Sequence, residues 1–150
     1  MAIEAEEKAA AFYGEAAQKT ENPLGRKLFE QLSEFEKYHQ INLSALEESL
    51  CKHGACIIYE GRDSWYPGSD EVEKIKEADK MSAIGIITMA IEIKEKAEER
   101  YMVLAKQTTD PTGQAMFKRP AEEERANHCI LSEAYWNLNN RGVWMWANPE

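Results

Sequence analysis

The sequence predicts an all-α protein: a four-helix bundle made of two repeated helical hairpins joined by a long crossover. Three observations support this fold class. Four long stretches carry apolar residues at helical spacing, and no other stretch predicts a strand that has a partner. Short links containing proline separate the helices within each pair, whereas one long segment separates the pairs. The second half of the chain also repeats the pattern of the first.

The first predicted hairpin occupies the N-terminal third of the chain. Residues 2–20 are rich in Ala, Glu and Lys and predict a helix that ends before Pro23, because proline disfavours a helical conformation in the residue before it. Residues 23–52 carry leucines at helical spacing, and Gly54 is a plausible end to this second helix.

The second predicted hairpin has the same design. A third helix is expected over residues 82–108, with Ser82 as a candidate N-cap. The sequence "DPTG" then predicts a turn, and a fourth helix follows over residues 112–139 up to "NNRG". Pro120 lies inside this fourth helix, and we expect it to kink the helix there.

The segment between the hairpins, residues 54–81, is rich in Gly, Pro, Asp and aromatic residues. So long a connection is unusual in a compact domain. It is needed where the second and third helices run parallel, because the chain must then cross the bundle, about 45 Å for a helix of ~30 residues. We therefore expect residues 1–150 to form one domain, with a crossover at 54–81 and a C-terminal tail at 140–150.

The internal repeat has a period of 88 positions and needs no gap from Ala2 to Glu36. The segment "AIEAEEKAAAFY" near the N-terminus corresponds to "AIEIKEKAEERY" in the second half. The matched pairs are Ala2 and Ala90, Ile3 and Ile91, Glu7 and Glu95, Tyr13 and Tyr101, Pro23 and Pro111, Gly25 and Gly113, Phe29 and Phe117, Glu36 and Glu124. Two similar hairpins packed face to face would form a pseudo-symmetric bundle.

The composition excludes several classes of function. The net charge of −9 argues against binding to nucleic acid or to an anionic membrane surface. No apolar run is long enough to span a bilayer, and the acidic N-terminus lacks the features of a secretory signal. An odd number of cysteines argues against a disulfide framework. We therefore expect a cytoplasmic protein.

Candidate metal ligands lie on the helices of the first hairpin. Glu36 and His39 are three positions apart, so they point the same way and can hold one cation. Taken alone, such a pair is common and more often belongs to a solvated charged face. Glu6 and Tyr13 are seven positions apart and share one stripe of the first helix.

The fourth helix offers a matching pair, Glu124 and His128. The repeat places Glu36 on Glu124, but it places His39 on Asn127, one residue before His128. A π-bulge would absorb one extra residue, and the spacing of four also keeps both side chains on one face without a bulge. Matched glutamate and histidine positions in two repeats favour a shared metal site over a chance charge run.

These residues resemble the rubrerythrin branch of the ferritin-like di-iron carboxylate proteins. The resemblance covers both hairpins but not the crossover or the tryptophan-rich tail. The residues that carry it are Glu6, Tyr13, Glu36, His39, Tyr101, Glu124 and His128.

The resemblance implies a ferritin-like four-helix bundle with two irons at its centre. It makes Glu6 a terminal ligand, Glu36 and Glu124 bridging ligands, and His39 and His128 the imidazole ligands. Iron is the implied cofactor, as one or two ions, although other divalent metals fit such ligands. In such a site Tyr13 and Tyr101 would hydrogen-bond ligand carboxylates or pass electrons; otherwise they are ordinary buried tyrosines.

Lys94 departs from the family pattern, which has a glutamate there to match Glu6. A protonated lysine cannot bind a metal. Lys94 could replace one metal with its own charge, could swing away while Glu98 supplies the ligand, or could lose its proton through burial. It could also face solvent if the helix is rotated. Ala97 stands where some relatives carry an additional glutamate ligand.

Two functions follow most directly from the resemblance, and iron storage in a ferritin-like cage is a weaker third. The first is an enzyme that reduces peroxide or dioxygen at a di-iron site. Because the chain has no rubredoxin-like pair of C-x2-C motifs, electrons would come from a separate protein such as a rubredoxin. The second is a non-catalytic metal-binding or structural module with one metal or none. We expect a homodimer in either case, and no catalytic residue is assigned.

Overall fold

The computed structural model describes residues 2–53, 61 and 77–147, and within them the side chains of residues 3–46, 61 and 80–147. Four helices are present: α1 (Ala2–Lys19), α2 (Pro23–His53), α3 (Glu77–Gln107) and α4 (Pro111–Arg141). The predicted all-α four-helix fold is confirmed. The predicted crossover at 54–81 lies outside the described residues, apart from Gly61 and the first turn of α3.

Three helices lie within two residues of their predicted bounds, and α3 differs most. It begins at Glu77, five residues before the predicted start at Ser82. The intervening residues are good helix formers, so the helix continues through them instead of being capped by Ser82. Helix α4 is α-helical throughout, without the π-bulge considered for it.

The repeat is visible in the way that the second helix of each hairpin begins. The side-chain oxygen of Asn22 accepts the backbone N–H groups of Leu24 and Gly25 at 2.9 and 3.2 Å. The Asp110 carboxylate accepts the N–H of Gly113 at 3.1 Å. Asn22 and Asp110 are equivalent in the repeat, and a proline follows each of them. Both hairpins therefore use an Asx N-cap followed by proline in the first turn.

The first helix of each hairpin also ends in the same way. The Thr20 hydroxyl donates to the Ala16 carbonyl, and the Thr108 hydroxyl donates to the Leu104 carbonyl, both at 2.7 Å. These bonds satisfy carbonyl groups that the end of a helix leaves without a partner. The similarity between the halves therefore extends to their polar ends.

The core forms where the two hairpins face each other. Helix α1 packs mainly on α2, α3 mainly on α4, and α1 also contacts α3. None of the helices in the described part of the chain is both long and apolar enough to cross a membrane. Fully buried side chains from all four helices fill the centre: Tyr13, Leu28, Leu32, Ile87, Ile130, Leu131 and Leu138.

One end of the bundle is closed by the residues after α4. Gly142 adopts a left-handed conformation (φ 66°), which turns the chain back after the helix. Trp144 is buried and meets Phe29 edge to face, with ring centroids 5.9 Å apart. It packs so closely on α2 that a Cβ atom at Gly25 would lie 2.6 Å from its ring. Trp146 is also buried.

Candidate metal centre

Four potential metal ligands meet in the middle of the bundle. Glu6 comes from α1, Glu36 and His39 come from α2, and Glu124 comes from α4. One ligand atom from each lies within 4.8 Å of all the others, and every one of these side chains is at most 1% exposed. We call this group the carboxylate–histidine cluster. The spacing of Glu36 and His39 on one helix places both on its inward face, as the sequence predicts.

His39 lies between carboxylates on both sides of its ring. Its Nδ1 faces the cluster, at 3.0 Å from Glu124, 3.4 Å from Glu36 and 3.8 Å from Glu6. Its Nε2 donates a hydrogen bond to Glu123 at 2.9 Å. Burial alone would lower the pKa of His39, but the contacts with Glu123, Glu124 and Glu6 outweigh burial and raise this pKa well above its usual value. The surrounding carboxylates therefore favour the protonated form of His39 when no metal is bound.

Lys94 extends from α3 into the same cluster and is fully buried. Its Nζ makes an ion pair with Glu36 and lies 2.9 Å from Glu124. The Lys94 Nζ lies over the face of the Tyr13 ring, 5.1 Å from the ring centroid. Of the arrangements that the sequence left open for Lys94, the structure shows the one in which its charge lies among the carboxylates. It neither faces solvent nor swings away.

The two repeated tyrosines have different partners. The Tyr101 hydroxyl donates to the Glu6 carboxylate at 2.6 Å, whereas the Tyr13 hydroxyl lies 3.5 Å from the Ala90 carbonyl. Burial and the Glu6 charge raise the pKa of Tyr101 far above its usual value, so it remains a phenol. The difference follows from the repeat, since Tyr101 faces a glutamate where Tyr13 faces Lys94.

The carboxyl group of Glu6 stays ionised despite its burial. Burial alone would raise its pKa, but the contacts with His39 and Tyr101 and the charge of Lys94 outweigh it. The pKa of Glu6 is therefore lowered from its usual value. A buried carboxylate that is already ionised needs no further deprotonation to bind a cation.

Two residues predicted from the sequence to be ligands, His128 and Glu98, lie outside the cluster. The side chain of His128 is 29% exposed and lies 3.3 Å from Glu95 at the surface. Glu98 accepts hydrogen bonds from the guanidinium of Arg125, at 2.7 and 2.9 Å. Among the described side chains, His39 is the imidazole that reaches the centre.

The rotation of the helix explains the position of His128. Each residue turns an α-helix by about 100°. The third residue after Glu124 therefore occupies the place that His39 has after Glu36, and that residue is Asn127, which is fully buried. His128 is turned about 100° further and points out of the bundle. The expectation that His128 joins the cluster is thus wrong, and the buried residue at the position equivalent to His39 is Asn127.

Sequence reasoning missed Glu123, the carboxylate behind His39. It is 4% exposed and follows Glu122 in the run "EEE", which resembles a solvated charged face. The internal repeat contains the information that would have identified Glu123 as buried. Position 123 corresponds to Phe35, a buried aromatic residue, so the equivalent position on α4 also faces inward.

The donor set fits one divalent ion. Three carboxylates and one imidazole are suitable ligands for iron, manganese or zinc. A second ion would need further ligands, but the positions equivalent to Glu6 and His39 are held by Lys94 and Asn127. These residues could therefore hold a metal ion, with the ammonium group of Lys94 beside it.

Glutamates and a histidine buried at the centre of a helical bundle are typical of the class of proteins that bind metals through carboxylates inside such a bundle. The family model for Rubrerythrin matches residues 1–78, just over half of the chain, and the chain belongs to that family. The matched part includes Glu6, Glu36 and His39, whereas Lys94 and Glu124 lie beyond it. No curated protein and no solved structure matches the chain.

Proposed function

We propose that this protein binds one iron ion through Glu6, Glu36, His39 and Glu124, and that the Lys94 ammonium takes the place of a second ion. The position of Lys94 carries the proposal. Its Nζ lies between Glu36 and Glu124, the two carboxylates to which the family resemblance assigns the bridging of two irons. An ammonium there occupies the side of the cluster that a second ion would need.

The balance of charge supports a single ion. The carboxylates of Glu6, Glu36 and Glu124 carry three negative charges, and one divalent ion with the Lys94 ammonium supplies three positive charges. His39 binds a metal only as the neutral imidazole, so the metal replaces its proton. A second divalent ion would leave a large excess of positive charge in a fully buried site, which is strongly unfavourable.

Reduction of peroxide or dioxygen by two irons is the second candidate. Membership of the Rubrerythrin family favours it. It would require Lys94 to leave the cluster, an external electron donor such as a rubredoxin, and ligands for the second iron. A homodimer, as expected for such a protein, is compatible with either candidate.

Iron stoichiometry after anaerobic loading tests the proposal. The protein is mixed with excess Fe²⁺, desalted without oxygen and analysed for metal and protein by mass spectrometry. We expect one iron per chain in the wild type. We expect two in the double variant Lys94→Glu with Asn127→His, which restores the repeat. Lys96→Glu makes the same charge change at an exposed position and should still bind one.

Peroxide consumption with a chemical reductant separates the two candidates. The proposal predicts two irons and faster consumption in the double variant than in the wild type. Two irons per chain in the wild type, with Lys94 unchanged, would reject the single-ion site and support the second candidate. A folded wild-type protein that binds no iron would reject both.

A further inference from the structure

The two halves of the bundle differ behind the cluster as well as within it. On α4, Glu123 faces the outer side of the His39 ring and is itself buried. At the equivalent place on α2 the repeat has Phe35, and at the position equivalent to His39 it has Asn127. His39 therefore meets a carboxylate from the other hairpin, whereas the repeat assigns the apolar residue Phe35 to the corresponding place relative to Asn127. This pairing is the pattern expected if the carboxylate serves the imidazole.

Glu123 lies against the His39 nitrogen that points away from the cluster. Its carboxylate is 2.9 Å from Nε2, where an ionised carboxylate accepts a proton and so favours the tautomer that carries its proton on this outer nitrogen. The inner nitrogen, Nδ1, is then the one that can offer its lone pair to an ion among Glu6, Glu36 and Glu124. A carboxylate on the second nitrogen of a ligand histidine also orients the ring and makes it a stronger donor. Phe35 contacts the same ring edge to face, with centroids 4.8 Å apart.

Glu123 is held in turn by Arg119, one helical turn earlier on α4. The Arg119 Nε lies 3.7 Å from a Glu123 oxygen. The Arg119 side chain also passes close to Gly61 in the crossover. A Cβ atom at Gly61 would overlap the Nε, Cγ and Cδ atoms of Arg119. The absence of a side chain at Gly61 therefore leaves room for the arginine in the position that reaches Glu123.

We propose that Glu123 is a positioning residue that fixes the ring and the donor nitrogen of His39, and that Arg119, packed on Gly61, holds Glu123 in place. This inference rests on the proposed function, because the metal is the ligand that the ring is positioned to bind. It adds a line of contacts from the crossover to the cluster. Changes at Gly61, on the protein surface, then affect the affinity of the buried site.

Metal affinity in matched variants tests this role. Co²⁺ binding is followed by its visible absorption, in competition with a chelator. Glu123→Gln should weaken binding about 10- to 100-fold and change the absorption bands, as expected for loss of a carboxylate behind a ligand histidine. Glu123→Asp should recover part of the affinity. Arg119→Ala and Gly61→Ala should each weaken binding by a smaller factor.

The chain offers a close control for each change. Glu122→Gln removes the exposed neighbouring carboxylate, and Arg125→Ala removes an arginine of α4 that pairs with Glu98 instead. Both should bind Co²⁺ as the wild type does. If Glu123→Gln binds within twofold of Glu122→Gln and has the same absorption bands, Glu123 has no positioning role.

A measurement without metal separates this inference from the proposed function. In the metal-free protein, the Nε2 proton of His39 should give a far-downfield NMR signal because it is hydrogen-bonded to a carboxylate. That signal should move upfield in Glu123→Gln and stay in Glu122→Gln. If the wild type binds no metal but the signal behaves in this way, the proposed function fails while the control of the ring by Glu123 stands. An unchanged signal in Glu123→Gln overturns the inference.

Discussion

Lys94 and His39 give the centre of this protein two positive charges among buried carboxylates. Isolated buried charges are costly, but here each charged group has a partner of opposite sign within a few ångströms. In the metal-free cluster, two positive charges therefore offset most of the charge of the three carboxylates Glu6, Glu36 and Glu124. His39 and Glu36 could be predicted because helical spacing fixes which residues share a face. The direction in which the Lys94 side chain points could not be predicted, because a long side chain can reach either inward or outward from the same helix position.

The charge on His39 gives the metal-free protein a defined dependence on pH. Since the folded protein raises the pKa of His39, the folded state binds its proton more tightly than the unfolded chain does. The resulting stabilisation is complete below the unfolded value of about 6.5 and is lost as the pH rises through the folded value. The free energy of unfolding should therefore fall above pH 6.5, by up to about 1.4 kcal/mol per pH unit for one proton.

Urea unfolding at a series of pH values measures this slope. His39→Gln should remove the part of the decline above pH 6.5 that is due to this proton. His128→Gln, at the surface against Glu95, should keep it. An identical slope in the wild type and His39→Gln would show that His39 is not charged in the folded metal-free protein.

At the scale of the helices, each hairpin repeats the same local signals: an Asx N-cap, a following proline and a threonine at the end of the preceding helix. These signals are read from neighbouring residues, so the helices and links of both hairpins could be predicted from the sequence. The start of α3 could not be predicted correctly, because good helix formers before Ser82 extend the helix and no local signal stops it there. The position of Glu123 was concealed by its polar neighbours.

The contact between Gly25 and Trp144 gives a prediction for the closed end of the bundle. A methyl group at Gly25 would lie 2.6 Å from the Trp144 ring, and that ring is buried against Phe29 and cannot move aside freely. Gly25→Ala should therefore destabilise the protein by about 1–3 kcal/mol through overpacking. Gly85→Ala, where a methyl group meets nothing within 4 Å, should instead stabilise α3 by about 0.5–1 kcal/mol.

Urea or thermal unfolding of the two variants measures these effects of opposite sign. Gly14→Ala is a second control, since its Cβ atom would meet the Ser33 hydroxyl at an ordinary 3.7 Å. A Gly25→Ala protein as stable as the wild type would mean that Trp144 is not fixed against α2.

In the whole molecule, the two hairpins share one design and have diverged at the site. The first supplies Glu6 and His39, and the second has Lys94 and Asn127 at the equivalent positions. The apolar core around Leu32, Ile87 and Leu131 is built from both halves and contains none of the proposed metal ligands. The bundle can therefore keep its fold while one side of its centre exchanges a metal ligand for a fixed positive charge.

The number of ions at the bundle centre tests this account most directly. Crystals grown without oxygen in the presence of Fe²⁺ can be measured on both sides of the iron absorption edge. The account predicts one anomalous peak at the bundle centre, in contact with His39 and the carboxylate of Glu6, with the Lys94 Nζ still beside Glu36 and Glu124. Two peaks at the bundle centre with Lys94 displaced, or a single peak at His128, would contradict it.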